Sequence, residues 1–267
     1  MTTIRVAING ASGKMGQQVF AAIKGESDFV VSSAIVSPNS KFQSNPIPQQ
    51  ESLQYTSSLS SALEEVHVVI DFSVPDALEP LLAACRAKTI GVVTGTTGFS
   101  ETQNQLLQQA SQEIPIVHSP NMSTGVCMLW KLVEIATKAL DNIDIEIVDI
   151  HHQDKLDSPS GTALRIADIV NSVRGSGDNA NLIIGRDTRS GKRRSQEIGL
   201  HAIRGGDTVG EHTVMFLDKS ERIEISHRAL SRSTFAYGSL RAARFIATKL
   251  QQQQAGLFSM QDVLGIT

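Results

Sequence analysis

Between Asp149 and Leu164 the chain reads D-I-H-H-Q-D-K-L-D-S-P-S-G-T-A-L, a concentration of proton-bearing and cationic side chains beside a helix start. His151 and His152 are adjacent, Lys155 follows three residues later, and Ser160-Gly161-Thr162 has the composition of a helix N-terminus. Backbone N–H groups and the helix dipole favour an anion at such an end, most simply a carboxylate. Histidine supplies a proton carrier near neutral pH, and lysine supplies a charge and a further proton. The pattern therefore points to a pocket for a small acidic substrate that gains or loses a proton. If a strand runs through both histidines, they point to opposite faces, and the sequence does not say which one faces the substrate.

A second constellation lies at the start of the chain. Gly10-Ala11-Ser12-Gly13-Lys14-Met15-Gly16 follows an apolar strand directly and opens an amphipathic helix. Glycine allows the sharp turn and lets a pyrophosphate approach the helix N-terminus. The spacing is G-x-x-G-x-x-G rather than G-x-G-x-x-G, so its place at the first strand–helix turn carries much of the argument. Two later strand ends, Gly95-Thr96-Thr97 and Ser119-Pro120-Asn121-Met122, offer small and hydroxyl-bearing residues suited to a nicotinamide and its ribose. Where an acid usually grips the ribose hydroxyls, this chain has Val36 and Ser37, with Lys41 nearby. Nothing there repels a 2′-phosphate, which favours NADPH over NADH.

The elements that must position these residues fall into two styles. Up to about residue 120, apolar strands alternate with amphipathic helices: strands at Ile4–Asn9, Phe29–Val36, His67–Phe72, Ile90–Thr94 and Ile114–Val117, helices at Lys14–Lys24, Asp76–Ala87 and Glu101–Gln112. Continuous apolar strands between such helices imply a doubly wound, Rossmann-type parallel sheet with ligands at the carboxyl ends of its strands. A long helix, Gly125–Leu140, is followed by strands at Ile143–Ile150, Ile198–Ile203, Glu211–Phe216 and Arg222–His227, the pattern of an α+β unit with a mixed sheet. Helical spacing resumes at Phe235–Leu250, so residues 1–122 and 232–267 are expected to form the dinucleotide-binding domain and 123–231 the substrate-binding and oligomerisation domain. Residues 174–196 read as a long mobile loop, and Gln251–Gln254 as the polar end of a final helix.

Composition narrows the classes further. With 267 residues, 40% hydrophobic and 19% charged, the chain has the make-up of a two-domain globular protein. Aromatics are only 4%, so packing rests on Val, Ile, Leu and Ala. A net charge of −3 gives no global attraction to nucleic acid or anionic lipid, and the basic run Arg186–Arg194 reads as a solvated loop. The two cysteines, Cys85 and Cys127, have no metal-ligand spacing and suit buried thiols in a reducing cytoplasm. No apolar run approaches the roughly 20 residues that span a bilayer, and the first residues lead straight into a strand rather than a targeting segment.

Taken in order, G-A-S-G-K-M-G (10–16), D-F-S (71–73), G-T-T-G-F (95–99), S-P-N-M-S (119–123), H-H-Q-D-K-L-D-S-P-S-G-T-A (151–163), R-G-G-D-T-V-G-E-H-T (204–213) and S-R-S-T-F-A (231–236) resemble the 4-hydroxy-tetrahydrodipicolinate reductases. The resemblance implies an NAD(P)H-dependent reduction of a small cyclic dicarboxylate on the diaminopimelate route to lysine. It implies that His151 is a proton donor and acceptor, that Lys155 is a proton donor, and that His152, Ser160, Gly161 and Thr162 hold the substrate. A hydride goes to ring carbon four, water is lost, and a proton is added at the neighbouring carbon. A homotetramer is also implied. The chain departs from the family at Val36-Ser37, where some members carry an acid–basic pair, and at Cys127, where Asn is common. A metal-dependent hydrolase using His151, His152, Asp154 and Asp157 fits less well, because adjacent strand histidines diverge. A dinucleotide sensor would not need the histidine cluster, and an aspartate dehydrogenase would not need the block at 151–163. No metal is expected.

Overall fold

The structure is a computed structural model that describes residues 3–48, 50–140, 142–175 and 181–266. The chain divides into two compact units, Met1–Thr124 with Arg232–Thr267, and Gly125–Ser231.

In the first unit, β1 (Ile4–Asn9), α1 (Lys14–Ile23) and β2 (Phe29–Ile35) lead to the short β3 (Pro46–Ile47) and β4 (Gln50–Thr56). A single turn, α2 (Leu59–Ala62), precedes β5 (Val68–Asp71), α3 (Leu78–Ala87), β6 (Gly91–Thr94), α4 (Glu101–Ala110) and β7 (Pro115–His118). The second unit contains α5 (Thr124–Ala139), β8 (Asp144–His151), α6 (Gly161–Arg174), β9 (Leu182–Ile184), β10 (Ile198–Arg204), β11 (Gly210–Leu217) and β12 (Arg222–Ala229). The chain then returns to the first unit with α7 (Ser233–Gln251), β13 (Gly256–Phe258) and α8 (Met260–Leu264).

The first sheet has the order β13-β7-β6-β5-β1-β2-β4-β3 and is parallel except where β3 meets β4. Every residue of β5, β6 and almost all of β1 is buried, as a sheet covered on both faces requires. The core beneath α3 and α4 is built from Leu78, Leu81, Leu82, Leu107, Ile114 and Ile116, with Cys85 among them. Burial pushes the Cys85 thiol up to about 12, with the Asp71 carboxylate adding to the effect. The Cys127 thiol, on α5, is pushed up to about 12 by burial as well. Both are inert structural thiols. No helix among the described residues is long and apolar enough to cross a membrane.

The second sheet, β12-β11-β8-β10-β9, is mixed: β10 runs parallel to β8 and β9, while β11 is antiparallel to β8 and β12. Along β8 and β11 buried and half-buried residues alternate strictly, so one face carries Ile145, Ile147, Val214 and Phe216 in the core.

Three readings from sequence need correction. Residues 174–196 are not a single mobile loop: β9 pairs within them, and Arg186 and Arg193 are tied to Glu197 and Glu146. Residues 176–180 of that stretch lie outside the described residues. The basic run is thus partly neutralised by acids on and beside β8 and β10 rather than wholly solvated. The Gln251–Gln254 run does close a helix, since α7 ends at Gln251, but that helix is not the final element: β13 and α8 follow, and β13 extends the sheet beside β7. The helix expected at Asp76–Ala87 begins as a 3-10 turn, Pro75–Ala77, before α3.

Gly238 allows α7 to lie against the loop after β7. A Cβ there would stand 1.8 Å from the Met122 carbonyl oxygen, which is main chain and cannot swing aside. Helix propensity alone would make Gly238→Ala stabilising by about 1 kcal/mol. Overpacking is expected to reverse the sign, with a net loss of about 1–3 kcal/mol, read from the urea midpoint of the variant against wild type.

Candidate active site

The first cluster forms at the carboxyl ends of β1, β5 and β6. Gly10 sits at φ +75, and a Cβ on it would be 2.4 Å from the Phe72 carbonyl oxygen. Gly16 is equally constrained, since a Cβ would lie 2.5 Å from the Gly10 carbonyl. These outer glycines let the turn and the helix close. Gly13 is different: its Cβ would meet only the Gly10 carbonyl, at 3.2 Å, and it caps α1 without any side-chain hydrogen bond. The N–H groups of the first turn of α1 are therefore left to an anion, with exposed Lys14 beside them. This arrangement fits a dinucleotide pyrophosphate.

The other expected cofactor residues are placed unequally. Thr97 and Pro120 are exposed, and Ser12, Met15, Gly95 and Asn121 are half-buried. Ala11, Thr96, Ser119 and Met122 are buried, so their side chains shape the cleft floor instead of lining it. The Thr96 hydroxyl donates to Asp71 Oδ2 at 2.9 Å, and the Ser119 hydroxyl donates to the Asn121 carbonyl at 2.7 Å. Gly95 is required by the Phe72 ring, which a Cβ would approach to 2.4 Å. After β2, Lys41 rests over the Phe42 ring, 5.2 Å from its centroid.

Asp71 organises this end of the sheet. It is buried, and accepts hydrogen bonds from Asn9 Nδ2 at 2.8 Å, Ser73 Oγ at 2.6 Å and Thr94 Oγ1 at 2.7 Å, besides Thr96. The ends of three strands, β1, β5 and β6, are thereby locked at one level, which is what fixed cofactor geometry needs.

The second cluster is built on β8. Period-two alternation puts Asp149 and His151 on the same buried face, one pleat apart. Asp149 is 0% exposed. Its Oδ2 accepts from the Ser160 backbone N–H at 2.8 Å and from Arg204 Nη2 at 3.0 Å. Its Oδ1 accepts from Ser160 Oγ at 2.9 Å, and lies 2.9 Å from His151 Nδ1 and 3.2 Å from His212 Nε2. Burial alone would raise the Asp149 pKa, but the His151, His212 and Ser160 contacts outweigh it and hold the carboxyl well below the usual range. The side chain is therefore an anion.

Around it, the His151 and His212 rings meet edge-on with centroids 5.2 Å apart. His152 lies just beyond β8, and its N–H donates to the Thr208 carbonyl at 2.7 Å. Lys155 Nζ reaches Asp157 Oδ1 at 2.7 Å and thereby depresses the Asp157 pKa. Arg204 ties the same loop down by donating to the Asp157 carbonyl at 2.7 Å. Beside His212, on the neighbouring strand, burial lowers the His227 pKa, with the His212 ring adding to it.

Of the expected substrate residues, Gly161 is exposed at the first position of α6 with open space where a Cβ would be, and Thr162 follows half-buried. Ser160 departs from its expected role. It is buried, and its hydroxyl both donates to Asp149 and accepts from the Ala163 N–H as the helix cap. It holds the site together from within. Asp149, Arg204 and His212 were missed as site residues. The signal was present: Asp149 is two residues from His151, and Arg204 and His212 both lie in the R-G-G-D-T-V-G-E-H-T block.

Asp149, His151 and His212 bring ligand atoms within 4.8 Å of one another, a spacing that could hold a metal ion. The Asp149 oxygens, however, already receive Ser160 and the Arg204 guanidinium, and a fixed cation at 3.0 Å opposes a second one. The donor set fits proton chemistry better.

Comparison with known proteins followed the same division. Residues 4–122 match the family profile "Dihydrodipicolinate reductase, N-terminus", and residues 125–264 match "Dihydrodipicolinate reductase, C-terminus". The chain is 42% identical to the 4-hydroxy-tetrahydrodipicolinate reductase of Nitrosomonas eutropha over the whole of both proteins. It is also 42% identical to that of Alkalilimnicola ehrlichii, over 99% of this chain and 100% of the relative. Among solved structures, the dipicolinate-bound dihydrodipicolinate reductase from Paenisporosarcina sp. TG-14 superimposes with a TM-score of 0.77 at 23% identity, covering 98% of this chain and 99% of that one. An engineered D-amino acid dehydrogenase bound to NADP+ shares the fold at a TM-score of 0.56 and 14% identity, covering 97% and 93%.

The Asp149 network has a calculable pH signature. A carboxyl with a depressed folded pKa contributes stability that is complete above its unfolded value, about 3.9, and is lost as pH falls toward the folded value. Asp149→Asn is expected to cost on the order of 3 kcal/mol at pH 7. The difference from wild type should be flat from pH 5 to 8 and shrink below about pH 4. Urea midpoints of both proteins across that range are the check.

Proposed function

This chain belongs to the dihydrodipicolinate reductase family and is a 4-hydroxy-tetrahydrodipicolinate reductase of diaminopimelate and lysine biosynthesis, and we propose that the cluster around His151 binds its substrate. One observation carries this reading: a buried anion holds a histidine beside an open helix start, with a lysine on the same loop. A small cyclic dicarboxylate brings two negative charges and needs a proton, and each has a counterpart here. Gly161 and Thr162, at the N-terminus of α6, take one carboxylate through backbone N–H groups, the Thr162 hydroxyl and the helix dipole. His152 and Lys155 meet the other negative charge. Lys155 exchanges its partner Asp157 for the substrate, a swap of one carboxylate for another that costs little. His151 carries the proton to and from the ring, and Lys155 supplies a second one.

The dinucleotide, bound at Gly10–Met15, Gly95–Thr97 and Ser119–Met122, supplies the hydride when present. Gly13 leaves room for its pyrophosphate, and Asp71 keeps the strand ends in register beneath it. A homotetramer completes the proposed assembly.

His151→Ala is expected to lower kcat by about 10²–10⁴-fold with cofactor affinity nearly unchanged, the loss of a positioned acid–base group. Lys155→Ala should lower kcat and raise the substrate KM together. Gly13→Val should do the reverse and weaken cofactor binding. Steady-state kinetics with separate cofactor titrations distinguish the three, and normal turnover in both His151→Ala and Lys155→Ala would refute the assignment.

NADPH is expected to serve at least as well as NADH, because Val36 and Ser37 present no carboxylate to the 2′-phosphate. Side-by-side kcat/KM measurement with the two cofactors decides it, a marked advantage for NADH being the contrary result.

A further inference from the structure

We propose that Asp149 is a positioning residue for the reaction: it fixes the His151 ring with Nδ1 inward and makes Nε2 the proton-exchanging atom, in a slot that Gly210 keeps open. The inference rests on the reading above, since it takes His151 as the proton carrier, and names the atom that acts.

The geometry comes from three strands. Asp149 Oδ1 stands 2.9 Å from His151 Nδ1, within ion-pair reach though off the line of a straight hydrogen bond, and no polar atom among the described residues makes an aligned bond to that buried nitrogen. Asp149 cannot turn away, because the Ser160 N–H at 2.8 Å, the Ser160 hydroxyl at 2.9 Å and Arg204 Nη2 at 3.0 Å hold both of its oxygens. The His212 ring, 5.2 Å away and nearly perpendicular at 73°, blocks rotation of His151 from the side. Only one ring nitrogen is left for exchange, and β11 places Gly210 against it. A Cβ on Gly210 would stand 2.9 Å from His151 Nε2 and 3.3 Å from its Cδ2. Gly210 has no positive φ that would demand glycine, so the vacancy beside Nε2 is what the residue provides.

The chemical consequence follows from imidazole tautomerism. A neutral ring carries its proton on one nitrogen and a lone pair on the other. With Asp149 facing Nδ1, the resident proton stays there, and the proton that moves enters and leaves at Nε2. Without that carboxylate the two tautomers compete, and the wrong one presents an N–H where a base is needed. A buried Asp facing histidine Nδ1 has this effect in serine proteases, where its amide replacement lowers kcat by about 10⁴-fold.

The test is long-range proton–nitrogen correlation on histidine-¹⁵N-labelled protein, with His151 assigned by its loss in His151→Gln. Wild type is expected to show neutral His151 protonated on Nδ1. In Asp149→Asn the signal should move toward the Nε2–H form while kcat falls about 10²–10⁴-fold and cofactor affinity holds. Gly210→Ala should keep the Nδ1–H form but push the ring out of its slot, lowering kcat/KM on the order of 10²-fold. Wild-type His151 protonated on Nε2, wild-type turnover in Asp149→Asn, or full activity in Gly210→Ala would each overturn the proposal. If Asp149→Asn does not fold, the wild-type spectrum and Gly210→Ala carry the decision. Failure of the underlying reading looks different: His151→Ala would then retain turnover whatever its tautomer.

Discussion

The fully buried negative charge of Asp149 governs the second unit. Asp149 has no contact with solvent, and an isolated carboxylate in that position would cost several kcal/mol. Its partners must therefore come from wherever the chain can supply them: Ser160 at the start of α6, Arg204 at the end of β10 and two histidines on β8 and β11. Satisfying that charge fixes the register of three strands and the entry of one helix at the same time. It also collects, within a few ångströms, the groups that a carboxylate substrate and a moving proton need. Stability and chemistry share one origin here, which is why the residues that hold Asp149 lie just behind those assigned to the substrate.

The first unit solves a similar problem with different donors. Asp71 is also buried at strand ends, yet its hydrogen-bond donors Asn9, Ser73, Thr94 and Thr96 are all uncharged. Neutral donors hold that carboxylate without drawing a cationic side chain into the strand ends. In the second unit the Arg204 guanidinium is turned inward onto Asp149 and the Asp157 carbonyl, so it steadies the loop between β8 and α6.

Much of this was legible in the sequence because local chemistry and position agreed. Continuous apolar runs separated by amphipathic helices gave the parallel sheet, and the histidine–lysine spacing marked the cluster that is proposed to bind substrate. What escaped was non-local or lacked an apolar signal. The strand Gln50–Thr56, Q-E-S-L-Q-Y-T, lies one place in from the sheet edge and is polar, with little hydrophobic pattern. The segment Leu182–Ile184 is too short to stand out from its glycine- and arginine-rich surroundings, and becomes a strand only by pairing with β10. Asp149 and His212 are 63 positions apart and belong together only through the β8–β11 register. Ser160 showed its type but not its direction, since a helix cap and a substrate ligand look alike until the acceptor is known.

The return of the chain to its starting unit has a consequence for biosynthesis. Strand β13 adds to the edge of β7, and α7 packs on α1 and the β5–β7 strands, so the first unit needs residues made after the whole of the second. Residues 125–231 form an uninterrupted unit and leave the ribosome as one block. In vectorial synthesis the inserted unit can therefore reach its final form while the surrounding one still waits for its closing helix and edge strand. The order of completion is the reverse of the order of initiation. A truncation within α7 would strike the half of the protein whose strands were translated first, and leave the inserted unit with all of its own residues.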